Sequence, residues 1–163
     1  MIKFYAGIGS RETPFEVQRL MTQTAAMLRQ KGYWLRSGGA IGADSAFEKG
    51  AGEQKEIFLA KDATEEAIQL AMNFHPAPHL CKPFARSLHG RNSFQILGKE
   101  LNNPSRFVLC WTSDGCISHK QRTIKTGGTG TAISIASHYR IRIYNLANRE
   151  TERMIRDWLN GKG

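Results

Sequence analysis

The sequence predicts an α/β fold: a single Rossmann-like, doubly wound parallel sheet of about five strands with helices on both faces. Two observations carry that expectation. Short apolar runs alternate with stretches of helical periodicity along the chain, as in parallel sheets built with crossover helices. Three glycine-rich turns also stand where a strand gives way to a helix: Gly7-Ile8-Gly9-Ser10-Arg11, Ser37-Gly38-Gly39-Ala40-Ile41-Gly42-Ala43-Asp44 and Thr126-Gly127-Gly128-Thr129-Gly130-Thr131.

The elements follow in order. Ile2–Ala6 reads as the first strand. Thr13-Pro14-Phe15-Glu16 then reads as a helix start, with Thr13 as cap, Pro14 at the first helical position and Glu16 closing a capping box. Val17, Leu20, Met21, Thr24 and Leu28 recur at helical spacing up to a stop at Gly32. A strand over Tyr33–Ser37 precedes the second turn and a helix around Asp44–Ala51. Glu56–Ala60 is a third strand, followed by a helix near Thr64–Asn73 with Asp62 and Glu65 as a capping box. His75–Pro83 holds three prolines and reads as a loop. A longer helix over Ala85–Leu101 leads to a strand at Phe107–Trp111 and a polar, basic loop at Thr112–Thr126. A helix after Gly130, a fifth strand at Ile141–Leu146 and a closing helix at Glu150–Leu159 complete the chain.

The chain of 163 residues reads as one domain, 1–163, with no internal repeat or linker. No apolar run is long enough to cross a bilayer and the N-terminus opens on a strand pattern, so neither a membrane partner nor a signal peptide is expected. Three cysteines, Cys81, Cys110 and Cys116, are an odd number at irregular spacing. They argue against a disulfide framework and for a cytoplasmic location. A formal net charge of +9 suits an anionic partner such as a nucleotide or nucleic acid, and suits equally a generally basic surface.

In strand order 3-2-1-4-5, the first and last glycine turns face each other across the crevice at the carboxyl ends of strands 1 and 4, where open α/β sheets bind ligands. Glycine lets backbone approach a ligand, and a helix N-terminus offers unpaired N–H groups to an anion. Gly9, Gly38, Gly39, Gly42, Gly127, Gly128 and Gly130 therefore line an expected phosphate site, or serve only as tight turns. Thr129 and Thr131 add hydroxyls or simply cap the helix. Ser10 and Arg11 follow the first strand, where an arginine fork grips phosphate bidentately or stands exposed beside a turn. Asp44 is a ribose acceptor, a general acid or base, or a favourable charge in a first helical turn. Glu48 lies one turn on, so Asp44 and Glu48 are the candidate catalytic pair if the protein is an enzyme. Arg91 and Asn92 reach the pocket rim or form a solvated helix face, and Trp111 stacks on a base or packs in the core. The basic loop Lys120–Lys125 is either a lid or a solvated loop. No metal or cofactor is expected: His75, His79 and Cys81 share a proline-rich loop with no evident fourth ligand, no P-loop is present, and Gly7-x-Gly9 lacks the third glycine of a dinucleotide fingerprint.

At these residues the chain resembles the SLOG superfamily of Rossmann-like proteins. Gly9-Ser10-Arg11 and the segment from Ser37 to Phe47 look like two turns of its DprA branch, which mediates DNA recombination. The resemblance adds Ser37 to the candidate ligand-binding residues. Gly127-Gly128-Thr129-Gly130-Thr131 looks like the turn with which its LOG branch, nucleotide phosphoribohydrolases, holds a phosphate. The segments His89-Gly90-Arg91-Asn92 and Cys110–Gly115 look typical of small, stand-alone members often encoded by phages. What the resemblance implies is binding of a nucleotide, a nucleotide-derived ligand or the phosphates of single-stranded DNA, in a homo-oligomer. Two other activities remain open: a nucleotide N-glycosidase, and a sponge for a cyclic or ADP-ribose-type signal. LOG enzymes carry a glutamate three residues after the last threonine of their turn; Ser134 stands there in this chain.

Overall fold

The computed structural model describes residues 1–162. Five strands, β1 (Lys3–Gly7), β2 (Tyr33–Ser37), β3 (Lys55–Ile57), β4 (Phe107–Cys110) and β5 (Arg142–Asn145), form one all-parallel sheet in the order β3-β2-β1-β4-β5. Six helices connect and flank them: α1 (Phe15–Gln30), α2 (Ala43–Ala51), α3 (Glu65–Met72), α4 (Pro83–Leu97), α5 (Thr129–His138) and α6 (Arg149–Leu159). The predicted doubly wound architecture and strand order are those observed.

Alternation along the strands sorts the two layers. Tyr5, Leu35 and Leu109 point into a core with the buried faces of α1, α2 and α6. Ala6, Val108 and Cys110 point the other way, into a core with α4 and α5. Arg36, paired in register with Ala6, also faces the second side and is almost wholly buried. It lies 4.0 Å from the centroid of Phe4, and its Nη1 donates to the Asn103 carbonyl (2.6 Å) and Ser105 Oγ (3.1 Å). A single buried cation thus fastens the connection between α4 and β4.

Local chemistry departs from expectation at two helix starts and one helix end. Thr13 does not cap α1; its hydroxyl donates to the Ser10 carbonyl at 2.7 Å, and Pro14 stands at the cap position. The cap of α3 is Thr64, whose hydroxyl accepts from the Ala67 amide, while Asp62 accepts from the Leu59 amide instead. In both places a neighbouring turn offers the side chain a local partner, which competes with the capping geometry. The fourth helix begins at Pro83 and ends before Gly98, whose φ of +81° breaks it four residues earlier than its apolar pattern suggests. Strand ends shift by one to three residues, as at β3.

Helices α1 and α2 pack closely at Gly50. A Cβ at Gly50 would strike the Thr22 carbonyl and come within 2.8 Å of Ala25 Cβ. Gly50→Ala is expected to lower unfolding free energy by about 1–3 kcal/mol, the range for overpacking. Urea denaturation checks it; an unchanged midpoint would show that α1 and α2 separate freely.

Candidate functional site

Strands β1 and β4 stay hydrogen-bonded beyond their ends. The amides of Ile8 and Ser10 donate to the carbonyls of Leu109 and Trp111 at 3.0 and 3.1 Å. The chains then part, one towards α1 and the other towards α5 on the opposite face, and a crevice opens between them. Its first wall is a pair of turns packed backbone to backbone. Gly9 (φ +152°) leaves no room for a side chain, since a Cβ would lie 2.8 Å from Ala43 Cβ and 2.9 Å from the Trp111 carbonyl. Gly42 (φ +86°) is hemmed in likewise by Arg11 Cα and the Ser10 carbonyl. Ser10 ties the pair together, its carbonyl accepting from Ala43 N and its hydroxyl from Glu12 N. Arg11 is thereby carried to the cleft on a rigid turn.

The cleft has a volume of about 480 Å³. Three side chains converge at its floor on Gly38, where a Cβ would meet Gln95 Nε2, Asp44 Oδ2 and Arg91 Cζ at 2.7, 2.8 and 2.9 Å. Arg91 Nη1 donates to the Gly38 carbonyl at 2.7 Å, but its buried Nε and the buried Gln95 Oε1 have no partner. No carboxylate oxygen lies within 4.0 Å of Arg91 among the described residues. Burial pushes the Asp44 carboxyl up to about 6, against the pull of Arg91 and of the Ala40 amide. Burial also lowers the Arg91 guanidinium from its ordinary value, with Asp44 opposing and Arg11 adding to the effect. His89, at the cleft wall, is pushed down to about 4 by burial and by the cations around it, so it is neutral at pH 7. A buried guanidinium donor without an acceptor is a costly feature that an anionic ligand would relieve.

The opposite wall is the start of α5. Gly127 and Gly128 are exposed, and a Cβ at either would have nothing within 4 Å. Gly127 needs glycine for its φ of +68°; Gly128, with φ −62°, does not. Neither packing nor backbone geometry explains a glycine at 128. Asn92 steadies this turn by donating from Nδ2 to the Gly128 carbonyl at 3.3 Å.

The basic loop is largely exposed but held by hydrogen bonds. It contains two short 3-10 turns, His119–Gln121 and Ile124–Thr126. Asp114 accepts from the hydroxyls of Thr112, Thr123 and Thr126 (2.8, 2.8 and 2.5 Å) and from the Cys116 amide (3.2 Å). Partial burial raises the Asp114 carboxyl, but these four donors outweigh it and leave it below its usual value. The loop that presents Lys125 and Gly127 is therefore pinned.

The structure gathers Gly9, Ser10, Arg11, Asp44, Arg91, Asn92, Gly127, Gly128 and Thr129 around the cleft, with Gly38 immediately beneath. Other candidates lie elsewhere. Glu48 Oε2 pairs with Lys55 Nζ of β3 at 2.8 Å and does not line the cleft, where the carboxylates are Asp44 and Glu12. The Trp111 ring packs against the α1/α2 core; its backbone alone meets the first turn. Ser37 is buried and donates to the Gly7 carbonyl, and Gly39 lies against Ile57 and Leu59. Gly130 and the buried Thr131 face Arg122, behind the turn. Gln95, on the floor, was missed because the sequence reads it as one more polar residue of α4. Its place one helical turn after Arg91 was the available signal.

His75, Cys81 and His89 present ligand atoms within 4.8 Å of one another, so His89 takes the place expected of His79. The hydrogen bonding speaks against a metal there. The Ala77 amide donates to His75 Nδ1 at 2.9 Å, which places the ring proton on Nε2, the nitrogen facing Cys81 Sγ. A metal-binding imidazole has the reverse arrangement, donating from its outer nitrogen.

No protein-family model and no curated protein matches the chain. Among solved structures it is similar to DNA processing protein A from Helicobacter pylori, determined in a study of that protein's single-stranded DNA binding mode. The TM-score is 0.60 at 17% identity, over 98% of this chain and 79% of that one. The likeness shows a DprA-like Rossmann fold. Among the described residues no helix is long and apolar enough to cross a membrane.

Asp114→Ala is expected to release the loop and expose Lys120, Arg122 and Lys125 to trypsin under conditions that leave the parent uncut. In the parent, the folded carboxyl lies below its unfolded value. Its stabilisation is therefore complete above about pH 4 and lost as pH falls through the depressed folded value. Equal resistance of variant and parent to trypsin would show that the threonine contacts do not hold the loop.

Proposed function

We propose that the cleft binds a phosphate-bearing ligand, a nucleotide or the backbone of single-stranded DNA, with the phosphate against Gly127–Gly128 and the start of α5. The observation that carries the reading is Gly128: a glycine that neither φ nor packing requires, exposed across the cleft from an arginine donor with no acceptor. Backbone N–H groups at a helix N-terminus supply the direct contacts, and Arg91, Arg11 and Lys125 supply charge. The DNA-binding neighbour of similar fold supports the same chemistry. The net charge of +9 favours capture of a polyanion.

Gly128→Asp places a carboxylate where the phosphate would lie, in open space and at an ordinary φ. It is expected to keep the parent's melting temperature and lose oligo-dT and mononucleotide binding in fluorescence or calorimetric titrations. Retained affinity in the folded variant would reject the site.

The Asp44 carboxyl gives the cleft a pH dependence. Above about pH 6 it is ionised and repels a phosphodiester; below, it is neutral. A single like charge at this range changes affinity about three- to tenfold, so oligo-dT is expected to bind that much tighter at pH 5 than at pH 8. A phosphodiester does not itself titrate in this window, and Asp44→Asn controls for the other groups around the cleft. A pH profile identical in parent and Asp44→Asn would remove Asp44 from the site.

The same raised carboxyl favours a second reading, hydrolysis of a nucleotide N-glycosidic bond. Ionised Asp44 would take a proton from water as the oxygen bonds to the sugar's anomeric carbon and the base departs with its bonding electrons; the base then takes a proton from solvent and Asp44 returns its own to solvent. Chromatographic assay for free base from nucleoside monophosphates tests it. Turnover should rise with pH through about 6 and vanish in Asp44→Asn.

A further inference from the structure

A second cavity, about 660 Å³, adjoins the first. Gly127, Gly128 and His89 line both, so the bare Gly127–Gly128 backbone is a ridge between them. The far walls come from the segment after α3 and from the pinned basic loop, including Phe74 and Ile124.

Arg122 is built into this cavity. Its Nη1 donates to the Phe74 carbonyl (2.8 Å) and Ser134 Oγ (3.2 Å), and its Nη2 to Thr131 Oγ1 (3.1 Å). The rest of the guanidinium lies over Gly130, where a side chain would collide with Nε. Every one of these partners is neutral, and among the described residues no carboxylate oxygen lies within 4.0 Å. The protein holds this charge in place and leaves it uncompensated. On the near side of the ridge Arg91 likewise has no carboxylate oxygen within 4.0 Å among the described residues, although Asp44 lies near enough to act on its charge.

We propose that the ligand is two nucleotide units joined through phosphate, with one unit in each cavity and the linkage crossing the ridge at Gly127–Gly128. This rests on the phosphate-binding reading of the cleft and extends it. Each cavity is of a size to hold one nucleotide. The ridge carries no side chain, and a linkage crossing from one cavity to the other needs that clearance. Two half-buried arginines lacking acidic partners, one per cavity, match a ligand with at least two anionic groups. A single strand of DNA and a free dinucleotide share this chemistry.

The test compares 5′-phosphorylated thymidine (pdT), its dinucleotide pdTpdT and oligo-dT of eight residues by calorimetry at fixed salt, on the full chain. The second unit and its arginine contact are expected to make pdTpdT bind about tenfold or more tighter than pdT, as for a charge-assisted hydrogen bond. Ile124→Asp adds a negative charge to the far cavity at a side chain 99% exposed, so folding is not at stake. It is expected to weaken pdTpdT by a similar factor and leave pdT unchanged. Arg122→Gln should do the same, with its melting temperature recorded because it also ties the loop. Affinity that keeps rising from two to eight nucleotides identifies a strand as the source; a plateau at two identifies a free dinucleotide. Equal affinity for pdT and pdTpdT, or a pdTpdT affinity untouched by Ile124→Asp, overturns the proposal while leaving the cleft intact. Absence of binding by all three, with Gly128→Asp indistinguishable from the parent, overturns the cleft reading and this proposal together.

Discussion

Everything at the site depends on the hydrogen bonding that joins β1 to β4 and then stops. As long as Ile8 and Ser10 donate to Leu109 and Trp111, the two chains run as neighbours. Beyond Trp111 they belong to opposite layers, and no backbone group remains to close the gap. The crevice is thus a consequence of winding a parallel sheet in both directions from its centre. What the sequence adds is control over what lines it. Gly9 and Gly42 bring two turns into contact so tightly that Arg11 and the start of α2 form one unit. The third turn is left uncovered.

The charges of the cleft follow from the same geometry. α4 crosses beneath the carboxyl edge of the sheet and carries Arg91, Asn92 and Gln95 to the floor, while α2 carries Asp44. Burial acts on both charged groups in the direction that disfavours ionisation, raising Asp44 and lowering Arg91. They are near enough to influence each other and too far apart to form an ion pair. A direct pair would satisfy both and leave the cleft inert. Held apart around the space at Gly38, they leave the buried Arg91 Nε without an acceptor.

Much of this was legible in the sequence. The alternation of strand and helix patterns announced a doubly wound parallel sheet, and the glycine turns pointed to the crevice, because backbone conformation and close approach leave a direct mark on residue type. Gly128 was visible on those grounds, whereas Arg91 fitted a pocket rim and a solvated helix face equally. The failures have a shared cause. Glu48 and Asp44 are one helical turn apart, but Lys55 on a neighbouring strand captures Glu48. Thr13 and Asp62 fit capping patterns and take nearer backbone partners instead. Trp111 stands beside the crevice in sequence, yet its ring turns to the α1/α2 core. Helical spacing and turn composition are local properties, whereas these outcomes are decided by what the fold brings alongside.

Charge acts at two ranges in this molecule. The excess of basic residues spread over the surface attracts any polyanion, and salt screens that attraction over about 10 Å at moderate ionic strength. Arg91 and Arg122 behave differently. Both are partly buried and fixed by neutral partners. In the proposed reading, contacts made there depend on matching the spacing of two anionic groups across a bare backbone ridge, and burial makes them less sensitive to salt than the surface term. On that reading the general attraction brings a phosphate backbone to the sheet edge, and the two arginines and the glycine ridge select the arrangement of phosphates that stays.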